Sequence, residues 1–270
     1  MQAAEAEARA TLSTEVEAAV REAGALAART FQSSMLKSWT KDGGSPVTEA
    51  DIAVDNFLRE RLTRLAPDCG WLSEESIDDR ARLKSPRQWI VDPIDGTRAY
   101  LTGRSDWAIS VALVADGRPQ IAAIFAPVEN SMYLATSGEG TTLNGVSVRA
   151  STGTGFDSAR AAGPKPMLDR LAKIGPGLVS EPKVFSLALR IARIASGTLD
   201  IAFAGANSHD WDLAAADLLV HEAGGALTTF EGGQIIYNRA DPLQNALVAA
   251  GRPRHEAFLE LVRARTLAFV

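Results

Sequence analysis

A chain of 270 residues, 46% apolar and 23% charged, is long enough for a large core and has the ordinary balance of a soluble globular protein. Its net charge of −5, with no basic stripe interleaved with aromatics, argues against a nucleic acid polymer as partner but leaves a small phosphorylated ligand open. Cys69 is the only cysteine, which excludes an intrachain disulfide and a cysteine-built metal site; with no signal-like or membrane-length apolar run, the expected address is the cytoplasm, with no membrane partner.

The first thirty residues, acidic and Ala-rich, read as a long amphipathic helix. Gly43, Gly44 and Pro46 then mark a turn, and Thr48 caps a second helix whose Val54, Phe57, Leu58, Leu62 and Leu65 recur at helical spacing. Trp89, Ile90 and Val91 read as the buried end of a strand, and Pro93 with Gly96 predicts a sharp turn beyond it. From 106 to 150, short β-rich runs are punctuated by Asp116-Gly117, Glu129-Asn130 and Asn144-Gly145, the pattern of a meander. The polar stretch 151–160 separates an N-terminal half, 1–150, from a C-terminal half, 151–270. Two helices follow, one from Ser186 to a stop at Gly197 and one from Trp211 to a stop at Gly224-Gly225. Helices alternating with strand blocks predict a layered α/β protein.

Five acids sit at element boundaries: Asp51 entering a helix, Glu74 in LSEES, Asp92 and Asp95 in the turn, and Asp212 opening a helix. Singly, each has a plain structural explanation. Asp51 and Asp212 suit helix dipoles, Glu74 and Glu75 suit a solvated loop, and Asp92 and Asp95 suit turns that bond their own backbone. Asp92 and Asp95 together are harder to explain so, because like charges converging at a partly buried strand end repel unless a divalent cation lies between them.

In chain order, SPVTEAD (45–51), LSEES (72–76), WIVDPIDGT (89–97), DWAISVAL (106–113), LNG (143–145) and WDLAAADLLVHEAGG (211–225) resemble the inositol monophosphatase family. That family lies within the Mg²⁺-dependent, lithium-sensitive phosphatases, with the bisphosphate nucleotidases, histidinol-phosphate phosphatases and fructose bisphosphatases. The resemblance implies an αβαβα sandwich of the α/β (α+β) class, a site between two halves, and a homodimer. It implies two or three Mg²⁺ ions: Glu74, Asp92 and the Ile94 carbonyl holding one, Asp92, Asp95 and Asp212 a second, and Glu74 with Asp92 a weaker third. It also implies hydrolysis by a metal-activated water, oriented by Glu74 and by Thr97, with Asp51 polarising the Thr97 hydroxyl. The amides of Gly96 and Thr97 would take phosphate oxygens at a helix start. His209 and His221 are not expected as ligands, since Mg²⁺ prefers oxygen donors.

On the alcohol side the family pattern breaks at Phe185, at Gly205 and at Arg98-Ala99-Tyr100, which weakens the case for inositol monophosphate itself. Ser186, Asn207, Ser208 and Lys41 are the expected substrate contacts, Arg98 either meets a second phosphate or is a surface cation, and Arg190 with Arg193 is expected on a solvated helix face. The expected activity is hydrolysis of a small, inositol monophosphate-like phosphate ester. The alternatives are a 3′(2′),5′-bisphosphate nucleotidase or a histidinol-phosphatase, and, from another class, a non-catalytic regulatory or binding protein that keeps the fold.

Overall fold

The computed structural model describes residues 2–41 and 44–264, with side chains from residue 7 onward; Gly43, one of the expected turn residues, lies outside the described residues. Among these residues are seven α-helices: α1 (Gln2–Ala28), α2 (Glu49–Leu65), α3 (Thr97–Leu101), α4 (Lys165–Leu171), α5 (Leu187–Ala195), α6 (Asp210–Glu222) and α7 (Arg252–Arg263). A seven-stranded sheet runs in sequence order through Gly70–Ser73, Arg87–Asp95, Ala108–Ala115, Arg118–Ala126, Ser131–Thr136, Gly140–Leu143 and Val146–Val148. Only its first pair is parallel; the rest is the antiparallel meander expected from the sequence. A second sheet orders Val179–Ser180, Arg160–Ala162, Ile201–Ala204, Leu247–Gly251 and Gly225–Thr229.

Apolar spacing explains the layers. In α1, Val16, Ala19, Val20, Ala23 and Ala27 share one face, and in α2, Val54, Leu58 and Leu62 do; both faces close on the large sheet through Trp89, Val91, Val111 and Ala123. Gly24 lets α1 approach closely, because a Cβ there would lie 2.5 Å from the Phe125 ring. Between the sheets, α5 and α6 are enclosed by apolar residues from both, which is why Leu213 to Ala216 and Leu218 to Val220 are all buried rather than striped. Outside the small sheet, Leu168 and Leu171 of α4 and Phe258 and Leu259 of α7 cover Phe203 and Val248. The order of layers is therefore αβαβα, as the resemblance implied.

One buried acid in the central layer has a measurable consequence. Asp217 on α6 accepts a hydrogen bond from the Tyr237 hydroxyl at 3.1 Å, and burial pushes its carboxyl up to about 6. A carboxyl raised above its unfolded value favours the neutral form in the folded chain, so its contribution to stability is full below about pH 4 and is lost as pH rises through about 6. Asp217→Asn is therefore expected to raise the melting temperature at pH 7.5 by about 5 °C and to change it little near pH 4, as thermal unfolding at both values checks.

Candidate active site

The site begins with a defect in the strand Arg87–Asp95. Its register against the neighbouring strand pairs Asp92 with Ser110 and Asp95 with Ala108, three steps on one side against two on the other. In a regular strand, residues three apart point to opposite faces. The extra residue of the bulge brings Asp92 and Asp95 to the same side, and Pro93 is tolerated there because a bulge leaves a backbone amide out of the ladder. Gly96 then turns the chain with φ +94° into α3, a single turn of helix.

Asp212 joins them from α6. It is the third residue of that helix, and its carboxylate accepts the His209 amide at 2.7 Å, closing a capping box. One oxygen each of Asp92, Asp95 and Asp212 lies within 4.8 Å of the other two. Burial comes first in raising all three: Asp92 and Asp212 are pushed well above the carboxylate range, Asp92 further by Glu74 and Asp95, Asp212 further by Asp95. Asp95 reaches only about 6, because donors to its Oδ2 offset the burial: the Ser186 hydroxyl and the Ala188 amide, both at 2.6 Å. Those donors belong to the first turn of α5, so a helix start holds this carboxylate.

Asp51 and Thr97 meet as expected. The Thr97 hydroxyl lies 3.2 Å from Asp51 Oδ1 and 3.2 Å from the Ile94 carbonyl. Asp51 is fully buried at the start of α2, where its other oxygen accepts the Thr48 amide at 2.8 Å and the Thr48 hydroxyl at 2.5 Å. Burial raises its carboxyl to about 6, with the Thr48 bonds working against the rise. Its acidic side chain thus serves the capping box and the Thr97 hydroxyl together.

Glu74 follows the strand Gly70–Ser73 and lines the same cleft, a space of about 330 Å³ bounded also by Ser45, Asp92, Asp95, Gly96, Thr97, Arg98 and Asp212. Lys41 places its ammonium 3.0 Å from Glu74 Oε1 and 2.6 Å from Glu75 Oε1. Burial alone lowers the Lys41 pKa, but the two glutamates outweigh it and leave it above its ordinary value. Lys41 thus reaches the acids of the site, and Glu75, for which a solvated loop was the plain alternative, is enclosed, with burial raising it to about 7.

The alcohol-side expectations fare differently. Ser186 is fully buried and its hydroxyl lies between Asp95 and the Leu189 amide, so its polar contacts are a site carboxylate and its own helix. Asn207 sits exposed on a turn at φ +70°, and Ser208 is buried with its hydroxyl on the Gly205 carbonyl; neither lines the cleft. Arg190 is a correction. Expected on a solvated face, it is largely buried, with Nη1 on the Phe203 carbonyl at 3.0 Å and Nη2 on the Val184 carbonyl at 2.7 Å, and it forms a wall of the cleft. Its neighbour in the pattern, Arg193, is ion-paired with Glu129 at 2.8 Å. The period of three that suggested one exposed face fails because α5 is covered on nearly every side. His209 stacks on Trp211 at 4.4 Å between ring centroids, and His221 is exposed in the last turn of α6.

Comparison with known proteins identifies the family. The model of the inositol monophosphatase family matches residues 8–267. Among curated relatives, the Nus factor SuhB of Escherichia coli K12 is 29% identical over 247 residues, covering 87% of this chain and 89% of that one. The inositol-1-monophosphatase of Rhizobium meliloti is 34% identical over 225 residues, 80% and 84% of the two chains, and the histidinol-phosphatase of Mycobacterium tuberculosis 33% over 205 residues, 72% and 77%. The crystal structure of the extragenic suppressor protein suhB from Bartonella henselae superposes with a TM-score of 0.82 at 25% identity, over 93% of this chain and 97% of that one. The chain belongs to the inositol monophosphatase family and is a phosphoric monoester hydrolase.

Proposed function

We propose that the protein hydrolyses the phosphate ester of a small metabolite with Mg²⁺ held by Glu74, Asp92, the Ile94 carbonyl, Asp95 and Asp212. The observation that carries this reading is the set of three carboxylates, Asp92, Asp95 and Asp212, whose oxygens converge within 4.8 Å. Such a group is unfavourable in its ionised form until cations neutralise it, and an all-oxygen donor set without cysteine or histidine suits Mg²⁺. When bound, the ions supply an activated water, neutralise the transferring group and stabilise the leaving oxygen.

The chain supplies the rest. Donation from Thr97 to Asp51 leaves the hydroxyl's lone pairs free to accept from the attacking water, and Asp51, fixed by two bonds from Thr48, keeps that orientation. Glu74 is the second group that orients the water. The amides of Gly96 and Thr97, in the wall of the cleft, receive phosphate oxygens. Lys41 steadies Glu74 and Glu75 and adds positive charge at the phosphate end.

The direct measurement is release of inorganic phosphate from inositol 1-phosphate, 3′-phosphoadenosine 5′-phosphate, fructose 1,6-bisphosphate and histidinol phosphate at fixed Mg²⁺. Release is expected to vanish with excess chelator and return with Mg²⁺; turnover that persists in chelator refutes the reading. Thr97→Ala is expected to lower kcat about a hundredfold with little change in KM, and an unchanged kcat removes the Asp51 and Thr97 pair from catalysis.

A further inference from the structure

The catalytic cleft is lined by two sets of opposite charge. Its lining brings the acids Glu74, Asp92, Asp95 and Asp212 together with the cations Arg98, Lys183 and Arg190 and with Phe185. None of these three cations forms an ion pair among the described residues. Lys183 places its ammonium 4.4 Å from the centroid of the Phe185 ring. Arg190 holds two backbone carbonyls, and its charge is felt at Asp95 and Asp212 without touching either.

The neighbouring pocket, of about 390 Å³ and meeting the cleft at Lys183, offers a contrast. There Arg104, Arg160 and Arg193 are each matched by an acid, Asp106 at 2.8 Å, Asp200 at 3.1 Å and Glu129 at 2.8 Å. Of the cations that line these two pockets among the described residues, Arg98, Lys183 and Arg190 are the ones without an ion pair.

The balance of charge gives this arrangement a meaning. With every group ionised, and Lys41 offsetting Glu75 beside Glu74, the four carboxylates outnumber the three cations by one. Two divalent ions cancel all four carboxylates, and the three cations then stand uncompensated in a partly enclosed space. A phosphate dianion does not use up that charge. A neutral polyol as leaving group would leave these cations without a partner, whereas an anionic one supplies it.

Accepting the phosphatase reading above, we infer that the alcohol half of the cleft takes a leaving group that itself carries a negative charge, a second phosphate or a carboxylate, met by Lys183 and Arg190. Lys183 is exposed and adaptable; Arg190 is fixed by its two carbonyls and sets the charge of the wall.

Matched substrates test this with the full-length Mg²⁺-loaded protein. Glycerol 3-phosphate is compared with 3-phosphoglycerate, which adds a carboxylate, and fructose 1-phosphate with fructose 1,6-bisphosphate, which adds a phosphate; p-nitrophenyl phosphate reports the chemistry alone. In at least one pair the anionic member is expected to have a kcat/KM about tenfold higher or more, beyond the factor of two that a second scissile phosphate allows. Lys183→Ala is expected to bring that ratio below about threefold, and Lys183→Arg to preserve it. Hydrolysis of p-nitrophenyl phosphate with equal rates within both pairs overturns the inference and leaves the phosphatase reading standing. A preference that survives Lys183→Ala undiminished overturns the role given to Lys183. No phosphate release from any of the five compounds overturns both readings.

Discussion

Asp92→Asn is expected to lower Mg²⁺-dependent phosphate release by at least about a thousandfold and, in the metal-free protein, to raise the melting temperature by about 3 °C. Both effects come from one carboxylate, almost fully buried and facing Glu74, Asp95, Asp212 and Asp51. Its pKa in the folded chain is raised, so its contribution to stability is full below the unfolded value, near pH 4, and is lost as pH rises through the folded value. Asn is neutral at every pH, keeps an oxygen for the Ile94 amide and removes the repulsion at pH 7.5. The stabilising effect should therefore shrink as pH is lowered toward 4, where the wild-type carboxyl is also neutral. The same change removes a ligand that the proposed ions share, so the rise in melting temperature that Mg²⁺ produces in the wild type should largely disappear. Calorimetry with and without Mg²⁺ at the two pH values, alongside phosphate release, separates the two effects. A variant that keeps a tenth of the activity, or that melts lower than wild type without metal, contradicts this account.

Gly96→Ala is expected to cost about 2–3 kcal/mol of stability and about a hundredfold in kcat. At φ +94° a side chain is strained, and the added Cβ would lie 3.1 Å from the Ser186 amide nitrogen and 3.2 Å from the Asp106 carbonyl, backbone atoms that cannot swing aside. Movement of Ser186 is transmitted directly to Asp95 through their 2.6 Å hydrogen bond. Gly138 provides the control. Its φ is +85° but nothing lies within 4 Å of an added Cβ, so Gly138→Ala should show the backbone strain of about 1 kcal/mol and full activity. Equal losses of kcat in the two variants would show that crowding at Ser186 is not what matters.

Local chemistry made much of this molecule readable from its sequence. Thr48 three residues before Asp51 is a capping box in sequence and in space, and Asp116, Asn130 and Asn144 adopt the positive φ that their turns require. Gly197 and Gly224 take up left-handed conformations just past the ends of α5 and α6. The acidic turn around Asp92 and Asp95 was visible as well. What the sequence could not convey is the environment that other elements create. The spacing of Arg190 and Arg193 was visible, but not that α5 lies between two sheets, which turns Arg190 into a wall of the cleft. A glutamate pair on a loop looks solvated until Lys41 arrives from 33 residues away. Asn207 and Ser208 stand close to Asp212 in sequence, yet the positive φ at Asn207 carries its side chain to solvent.

The clamp on Asp95 by the first turn of α5 bears on the order of events during synthesis. Asp51, Glu74, Asp92 and Asp95 all emerge from the ribosome before residue 100, whereas Ser186, Ala188 and Asp212 follow some ninety residues later or more. Until they arrive, Asp95 lacks the donors that steady it and the cluster lacks its third carboxylate. A chain that stops before residue 186 therefore carries most of the acids without the donors to Asp95 or the carboxylate of Asp212. The cluster is complete only once α5 and α6 pack against the large sheet, contacts between residues far apart in the chain.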